Sequence, residues 1–272
     1  MKDLSETEQN MQIVQKNKKT VIIGASGGIG RKLALELSSS CSELVLHGIS
    51  QEKLDSLKDE IHNKLSENFS DKTKFPKITD ISYKFTPSFF TDEDDDSAEC
   101  VKNQLLSHIK TADTLCICYG PFLQKPLHLT TKSEWLESSS LVFALPGFFV
   151  SQVLPHMMEQ KFGRILLFGG TRTDSVNGYK TNAVYGAGKT AVCSLVKSVC
   201  LEYSQYGISC NAILPGFVET EYVSESQMNY YKNLLNSDGI IESKSVAKTA
   251  KFLLDNEDVN GMLFRIDRGW NC

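Results

Sequence analysis

Tyr185 and Lys189 stand four residues apart in Tyr185-Gly186-Ala187-Gly188-Lys189, and Ala191, Leu195 and Val199 continue the run at helical spacing. On a helix, that separation places the phenol and the ammonium on one face. A phenol ionises at about pH 10 in water, which is too high for acid–base work at neutral pH. A neighbouring cation lowers that value by favouring the phenolate. The chemistry this pair suits is general acid–base catalysis, with the Tyr185 phenol as the proton-transferring group. The same spacing occurs on ordinary surface helices, so its meaning depends on the elements around it.

The first such element is a glycine-rich turn. Thr20-Val21-Ile22-Ile23 runs into Gly24-Ala25-Ser26-Gly27-Gly28-Ile29-Gly30 and then into a helix, Gly28 to Ser38, with Ile29, Leu33 and Leu37 on one face. Glycines let the backbone turn tightly and approach a pyrophosphate, while the helix N-terminus offers N–H groups and a positive dipole end. We read Gly24, Ser26, Gly28, Ile29 and Gly30 as dinucleotide-binding residues. At the end of the second strand, His47-Gly48-Ile49-Ser50 contains no Asp or Glu to hold the two ribose hydroxyls of NAD. NADP (NADPH) is therefore favoured over NAD, with Arg31, Ser26 and Ser50 as candidate phosphate contacts.

Short apolar runs alternate with longer helical patterns along the chain, which is the mark of βαβ units and a parallel sheet. The predicted strands are Thr20–Gly24, Glu43–His47, Ile81–Phe85, Thr114–Cys118, Arg164–Phe168, Ser209–Leu214 and Met262–Ile266. The fold class is α/β, a single doubly wound Rossmann-like domain with a mostly or wholly parallel seven-stranded sheet. We assign residues 19–272 to that domain and residues 1–18 to a polar N-terminal extension.

The 272 residues are 41% hydrophobic and 23% charged, ordinary proportions that argue against disorder and against membrane spans. No apolar stretch of the kind a secretory signal needs opens the chain, and a cytoplasmic location is expected. A net charge of −4 supplies no electrostatic footprint for nucleic acid. Neither the eight cysteines nor the five histidines fall at metal-ligand spacing. The acidic run Asp92 to Asp96 reads as a solvated helix start.

The glycine spacing Gly24-x-x-x-Gly28-x-Gly30, the Tyr185/Lys189 pair and the string Asn211-Ala212-Ile213-Leu214-Pro215-Gly216-Phe217-Val218-Glu219-Thr220 together resemble the short-chain dehydrogenase/reductase family, over nearly the whole length from Lys19 to Gly269. The resemblance implies that Pro215, Gly216 and Val218 lie in a loop over the nicotinamide and that Thr220 reaches the cofactor phosphates. It also implies that Lys189 binds the nicotinamide ribose while tuning Tyr185. Enoyl reductases of the superfamily place their Tyr and Lys seven apart, and Tyr179 has Gly186 at that distance. Carbonyl reduction is the better reading.

The chain departs from the family pattern in three places. Where the family has a Ser after the fifth strand, Gly169-Gly170-Thr171 stands here, so Thr171 is the expected substitute, with Thr173 and Ser175 as alternatives. Of the family's Asn-Asn-Ala-Gly after the fourth strand, only Gly120 survives. The family's catalytic Asn is missing, its place falling at Val142 or Phe143. Pro146 removes the N–H that would bond the carbonyl four residues back, and a helix broken there would free the Val142 oxygen to hold the water that the Asn normally supports.

The function expected is hydride transfer from NADPH to a ketone or keto-thioester, resembling 3-oxoacyl-carrier-protein reductases. The alternative is a cofactor-binding protein with little catalysis that acts through protein interaction. Expected partners are a small-molecule carbonyl substrate or an acyl-carrier thioester, and a second or further copies in a homodimer or homotetramer. Residues Phe217 to Gly239 should form a lid, with Tyr222, Met228, Tyr230 and Tyr231 able to line substrate or to pack on neighbouring helices.

Overall fold

Strand residues alternate between two apolar layers, and that alternation builds the molecule. In the computed structural model, which describes residues 18–91, 96–221, 223–234 and 240–270, Val21 and Ile23 point into one core and Ile22 into the other. Leu115 and Ile117 oppose Cys116 in the same way, and Ile165 and Leu167 oppose Leu166 and Phe168. Burial on both faces is why these strands read as continuous apolar runs. The predicted extension, apart from Lys18, lies outside the described residues, as do positions 92–95 of the acidic run.

The strands are β1 (Lys19–Ile23), β2 (Glu43–Gly48), β3 (Lys77–Ser82), β4 (Thr114–Ile117), β5 (Gly163–Phe168), β6 (Ile208–Pro215), β7 (Val218–Glu219), β8 (Ile241–Glu242) and β9 (Leu263–Ile266). Seven of them form one sheet in the order β3-β2-β1-β4-β5-β6-β9, and every pairing is parallel. The chain moves outward from β1 to β3 and returns to start again at β4. The crevice outside the carboxyl ends of β1 and β4 is therefore the switch point at which such sheets bind ligands. A separate pair, β7 with β8, is also parallel and has no counterpart among the predicted strands. At two residues each, these strands are too short to leave a period-two pattern.

The helices are α1 (Gly28–Leu37), α2 (Gln51–Asn68), α3 (Asp96–Lys110), α4 (Lys132–Ser138), α5 (Leu145–Glu159), α6 (Ala183–Tyr203), α7 (Glu225–Leu234) and α8 (Ser243–Asp255). On α8, Val246, Ala247, Ala250, Leu253 and Leu254 form a buried stripe that closes the same layer as Leu33, Ala34 and Leu37 of α1. Each Val or Leu buried this way contributes about 1.5–3 kcal/mol.

Two expectations need correction. The third strand is Lys77–Ser82 and not Ile81–Phe85. It lies at the sheet edge, pairing only with β2, and with Lys77 exposed and Thr79, Asp80 and Ser82 only half-buried it lacks the apolar signature of the inner strands. The apolar weight around Phe85 belongs to an aromatic cluster just past the strand, where Phe85 lies 5.5 Å from Phe89, 5.6 Å from Phe149 and 5.2 Å from Tyr119, centroid to centroid.

The second correction concerns Pro146, which does not break the helix. Residues Ser139–Ala144 form a π-helical segment joining α4 to α5, and the Leu145 N–H donates to the Ser140 carbonyl five residues back. Pro146 follows as an early residue of α5, inside a helical run that continues through it. The helical run Lys132–Glu159 is by length and composition apolar enough to cross a bilayer, yet half of its most apolar window is buried inside the protein.

Candidate active site

Gly186 N–H donates 2.8 Å to the Asn182 carbonyl as α6 begins, and the helix carries Tyr185 and Lys189 toward the carboxyl edge of the sheet. The Lys189 ammonium is buried and donates 2.8 Å to the carbonyl of Phe168, the last residue of β5. Its Nζ would stand 3.0 Å from a Cβ added to Gly120, so the glycine just past β4 leaves the space the ammonium fills. Both contacts place Lys189 in the crevice, as the chemistry requires. Burial pushes this ammonium down to about 8, and the nearby Cys118 and Cys193 thiols pull it part of the way back.

Tyr185 is half-buried, and its ring centroid lies 5.7 Å from Lys189 Nζ. The two residues share a face as their spacing predicts, but the electrostatics differ from the expectation. Burial pushes the phenol up to about 12, while the Lys189 ammonium beside it is bonded to the Phe168 carbonyl. Tyr185 thus holds its proton firmly at neutral pH, which suits an acid more than a base. Phe122 covers the phenol edge-on, its centroid 4.9 Å away, and is itself 60% exposed. The sequence offered no sign of this residue beyond its place two positions after Gly120.

The hydroxyl candidates now separate. Thr173 is buried inside its own loop, accepting from the Gly170 N–H at 3.0 Å and donating to the Gly170 carbonyl at 2.8 Å. Ser175 accepts from Asn177 at 2.8 Å. Thr171 is partly exposed and donates 3.1 Å to the Pro215 carbonyl, which ties the loop after β5 to the end of β6. Tyr179 donates 3.0 Å to the Arg172 carbonyl, and its ring fills the space beside Gly186.

The glycine turn is held from both sides. Gly24 has φ +82° and Gly28 φ +53°, conformations that side chains rarely adopt. A Cβ on Gly30 would overlap the Gly24 carbonyl, which fixes how closely α1 approaches the turn. The Gly24 N–H donates 3.2 Å to His47 Nδ1, while His47 Nε2 donates 2.9 Å to the Tyr83 carbonyl. This pattern requires the neutral tautomer with its proton on Nε2, and complete burial lowers the imidazole to about 4. His47 therefore fastens the turn, a role the scattered histidines did not advertise.

An anion already occupies the helix N-terminus. The Gly28 N–H donates to both carboxylate oxygens of Glu221, at 3.1 and 3.0 Å, and Lys53 Nζ lies 3.9 Å from the same group. The place expected to hold a pyrophosphate thus binds a carboxylate of the chain itself, so the donor set fits an anionic cofactor. Next to it, a Cβ on Gly48 would lie 2.5 Å from Ser26 Cβ and Oγ, leaving no room for a side chain at the tip of β2.

Other expected contacts are engaged elsewhere. Arg31 pairs with Glu60 at 2.8 Å and donates to Ser56 at 3.1 Å, and Ser50 caps α2 by accepting from the Lys53 N–H at 3.3 Å. Pro215 and Gly216 close β6 at the crevice, with the Gly216 N–H donating 2.8 Å to the Ile266 carbonyl. Thr220, two residues past Val218 of β7, turns the chain through its carbonyl, which accepts from the Val223 N–H at 3.1 Å. Ile29 packs against the core layer behind α1. Of the lid candidates, Tyr231 lies 4.2 Å from Phe217, which in turn lies 4.8 Å from Trp270. Tyr231 is thus packed against Phe217, whereas Tyr222 and the Tyr230 side chain lie outside the described residues.

Comparison with known proteins gives one family. The short chain dehydrogenase model matches residues 18–230. Dehydrogenase/reductase SDR family member 6 of Rattus norvegicus is 25% identical over 262 residues, covering 92% of this chain and 96% of that protein. The 3-oxoacyl-[acyl-carrier-protein] reductase FabG of Rickettsia bellii is 26% identical over 202 residues, 74% of this chain and 73% of its own. Among solved structures, a short-chain dehydrogenase/reductase from Serratia marcescens superposes with a TM-score of 0.76 at 19% identity, covering 95% of this chain and 99% of that one. A 3-oxoacyl-[acyl-carrier protein] reductase from Brucella melitensis gives 0.76 at 18% identity, covering 95% and 92%. At such identities the structural likeness speaks for the fold.

Proposed function

Because the chain belongs to the short-chain dehydrogenase family, we propose that it reduces a ketone or keto-thioester with NADPH, and that Tyr185 is the proton donor. The observation that carries this reading is the phenol held in its acid form by burial, beside a buried ammonium anchored to Phe168. When bound, the nicotinamide supplies the hydride. The chain's own residues do the rest: Gly24, Gly28 and Gly30 admit the pyrophosphate, Lys189 orients the ribose, and Tyr185 gives its proton to the carbonyl oxygen as that oxygen gains charge. Gly120, Pro215 and Gly216 line the space between.

NADPH is favoured over NADH because position 48 has no room for a carboxylate that would hold two ribose hydroxyls and repel a phosphate. Similarity to the Rickettsia bellii reductase supports an acyl-carrier thioester as the substrate class. The test is Tyr185→Phe, which should abolish NADPH oxidation with carbonyl substrates while leaving NADPH affinity and melting temperature unchanged. Unchanged turnover would remove Tyr185 from the mechanism.

One observation favours a second reading. The Thr171 hydroxyl spends its proton on the Pro215 carbonyl, and Gly170 stands at the position of the family's serine. A protein so built could bind dinucleotide and act through protein contacts with little turnover. NADPH binding without oxidation across a panel of ketones and thioesters would select that reading.

A further inference from the structure

Glu221 reaches into the glycine turn from a distant part of the chain, 193 residues from Gly28 in sequence. It follows β7 and Thr220, a segment pinned at its base by the pairing of Val218 with Ile241. Its carboxylate takes the Gly28 N–H with both oxygens, at the N-terminus of the ten-residue helix α1, and lies 3.9 Å from Lys53 Nζ. This is the arrangement a phosphate would adopt: backbone donor, positive dipole end and a cation. Two anions cannot share one N–H at hydrogen-bond distance without strong repulsion.

We propose that Glu221 is an affinity-determining residue, a carboxylate that competes with the dinucleotide pyrophosphate for the Gly28 donor and must withdraw for the cofactor to enter. The inference rests on the glycine turn being the pyrophosphate site. Withdrawal also removes a negative charge from the neighbourhood of Lys53. Because Glu221 is roughly half exposed, water screens much of the contact. The expected effect is accordingly at the lower end for a charged hydrogen bond, about tenfold in affinity, equivalent to about 1.4 kcal/mol.

The experiment measures NADPH binding to the full chain by calorimetry for the wild type, Glu221→Gln, Glu221→Ala and a remote charge control, Glu202→Gln. The Gly28 amide resonance is followed in the free proteins. Both Glu221 variants should bind NADPH about tenfold tighter, the control should match wild type, and the Gly28 amide should shift in the Glu221 variants before any ligand is added. Equal affinity in wild type and both Glu221 variants would overturn the competition while leaving the glycine turn as the cofactor site. Weaker binding in them would make Glu221 a cofactor ligand and would equally overturn it. If neither wild type nor variants bind NADPH or NADH, the site reading itself fails and the inference falls with it.

Discussion

Replacing His47 with asparagine keeps an acceptor for the Gly24 N–H but removes the titrating group, and the two proteins should then respond differently to acid. His47 is fully buried and ionises at about 4 in the fold, against 6.5 for an ordinary histidine. The unfolded chain therefore takes up the proton first. The stability tied to the neutral ring is complete above about pH 6.5 and is lost as pH falls toward about 4. Integrated between pH 7 and pH 5, those two values give a loss of about 2 kcal/mol from this residue alone. Urea unfolding of wild type and His47→Asn at both pH values isolates the effect, since the carboxylates that also titrate are common to both. Wild type should lose about 2 kcal/mol more than the variant across that interval. Equal losses would show that the imidazole is not held neutral at the turn, and the account of how Gly24 is fastened would fail.

Two further outcomes follow from the site. In Gly30→Ala the new methyl meets the Gly24 carbonyl, and overpacking of this kind costs about 1–3 kcal/mol. Chemical denaturation should show that loss, and calorimetry should show NADPH affinity falling at least about tenfold. The reductive kcat should be flat near neutrality, where Tyr185 keeps its proton, and should fall as pH rises through about 8, where Lys189 loses its charge. Steady-state NADPH oxidation across that range checks it, and a profile that instead rises above about 8 would contradict an acid role for Tyr185.

Much of this arrangement is legible in the sequence because its causes are local. The inner strands announce themselves since both faces are apolar, and the turn from Gly24 to Gly30 is readable because only glycine tolerates its backbone and its contacts. Tyr185 and Lys189 follow from helical spacing alone. The features that escaped depend on distance. Glu221 meets Gly28 across 193 residues, and His47 is indistinguishable from a surface histidine until Gly24 and Tyr83 close around it. The raised pKa of Tyr185 is not legible in the sequence, because spacing shows a neighbouring charge but not the loss of water that burial brings. The edge strand β3 is hidden in the sequence because the aromatic cluster beyond it is the more apolar of the two.

The close approach of Ser26 to Gly48 constrains what the tip of β2 can acquire. A lineage placing an acidic group there would meet Ser26, since a Cβ at position 48 would lie 2.5 Å from both Cβ and Oγ of that serine. The serine must shrink first. One change opens the space without using it, the other uses a space not yet open, so the two substitutions have an order built into them by one pair of neighbouring residues.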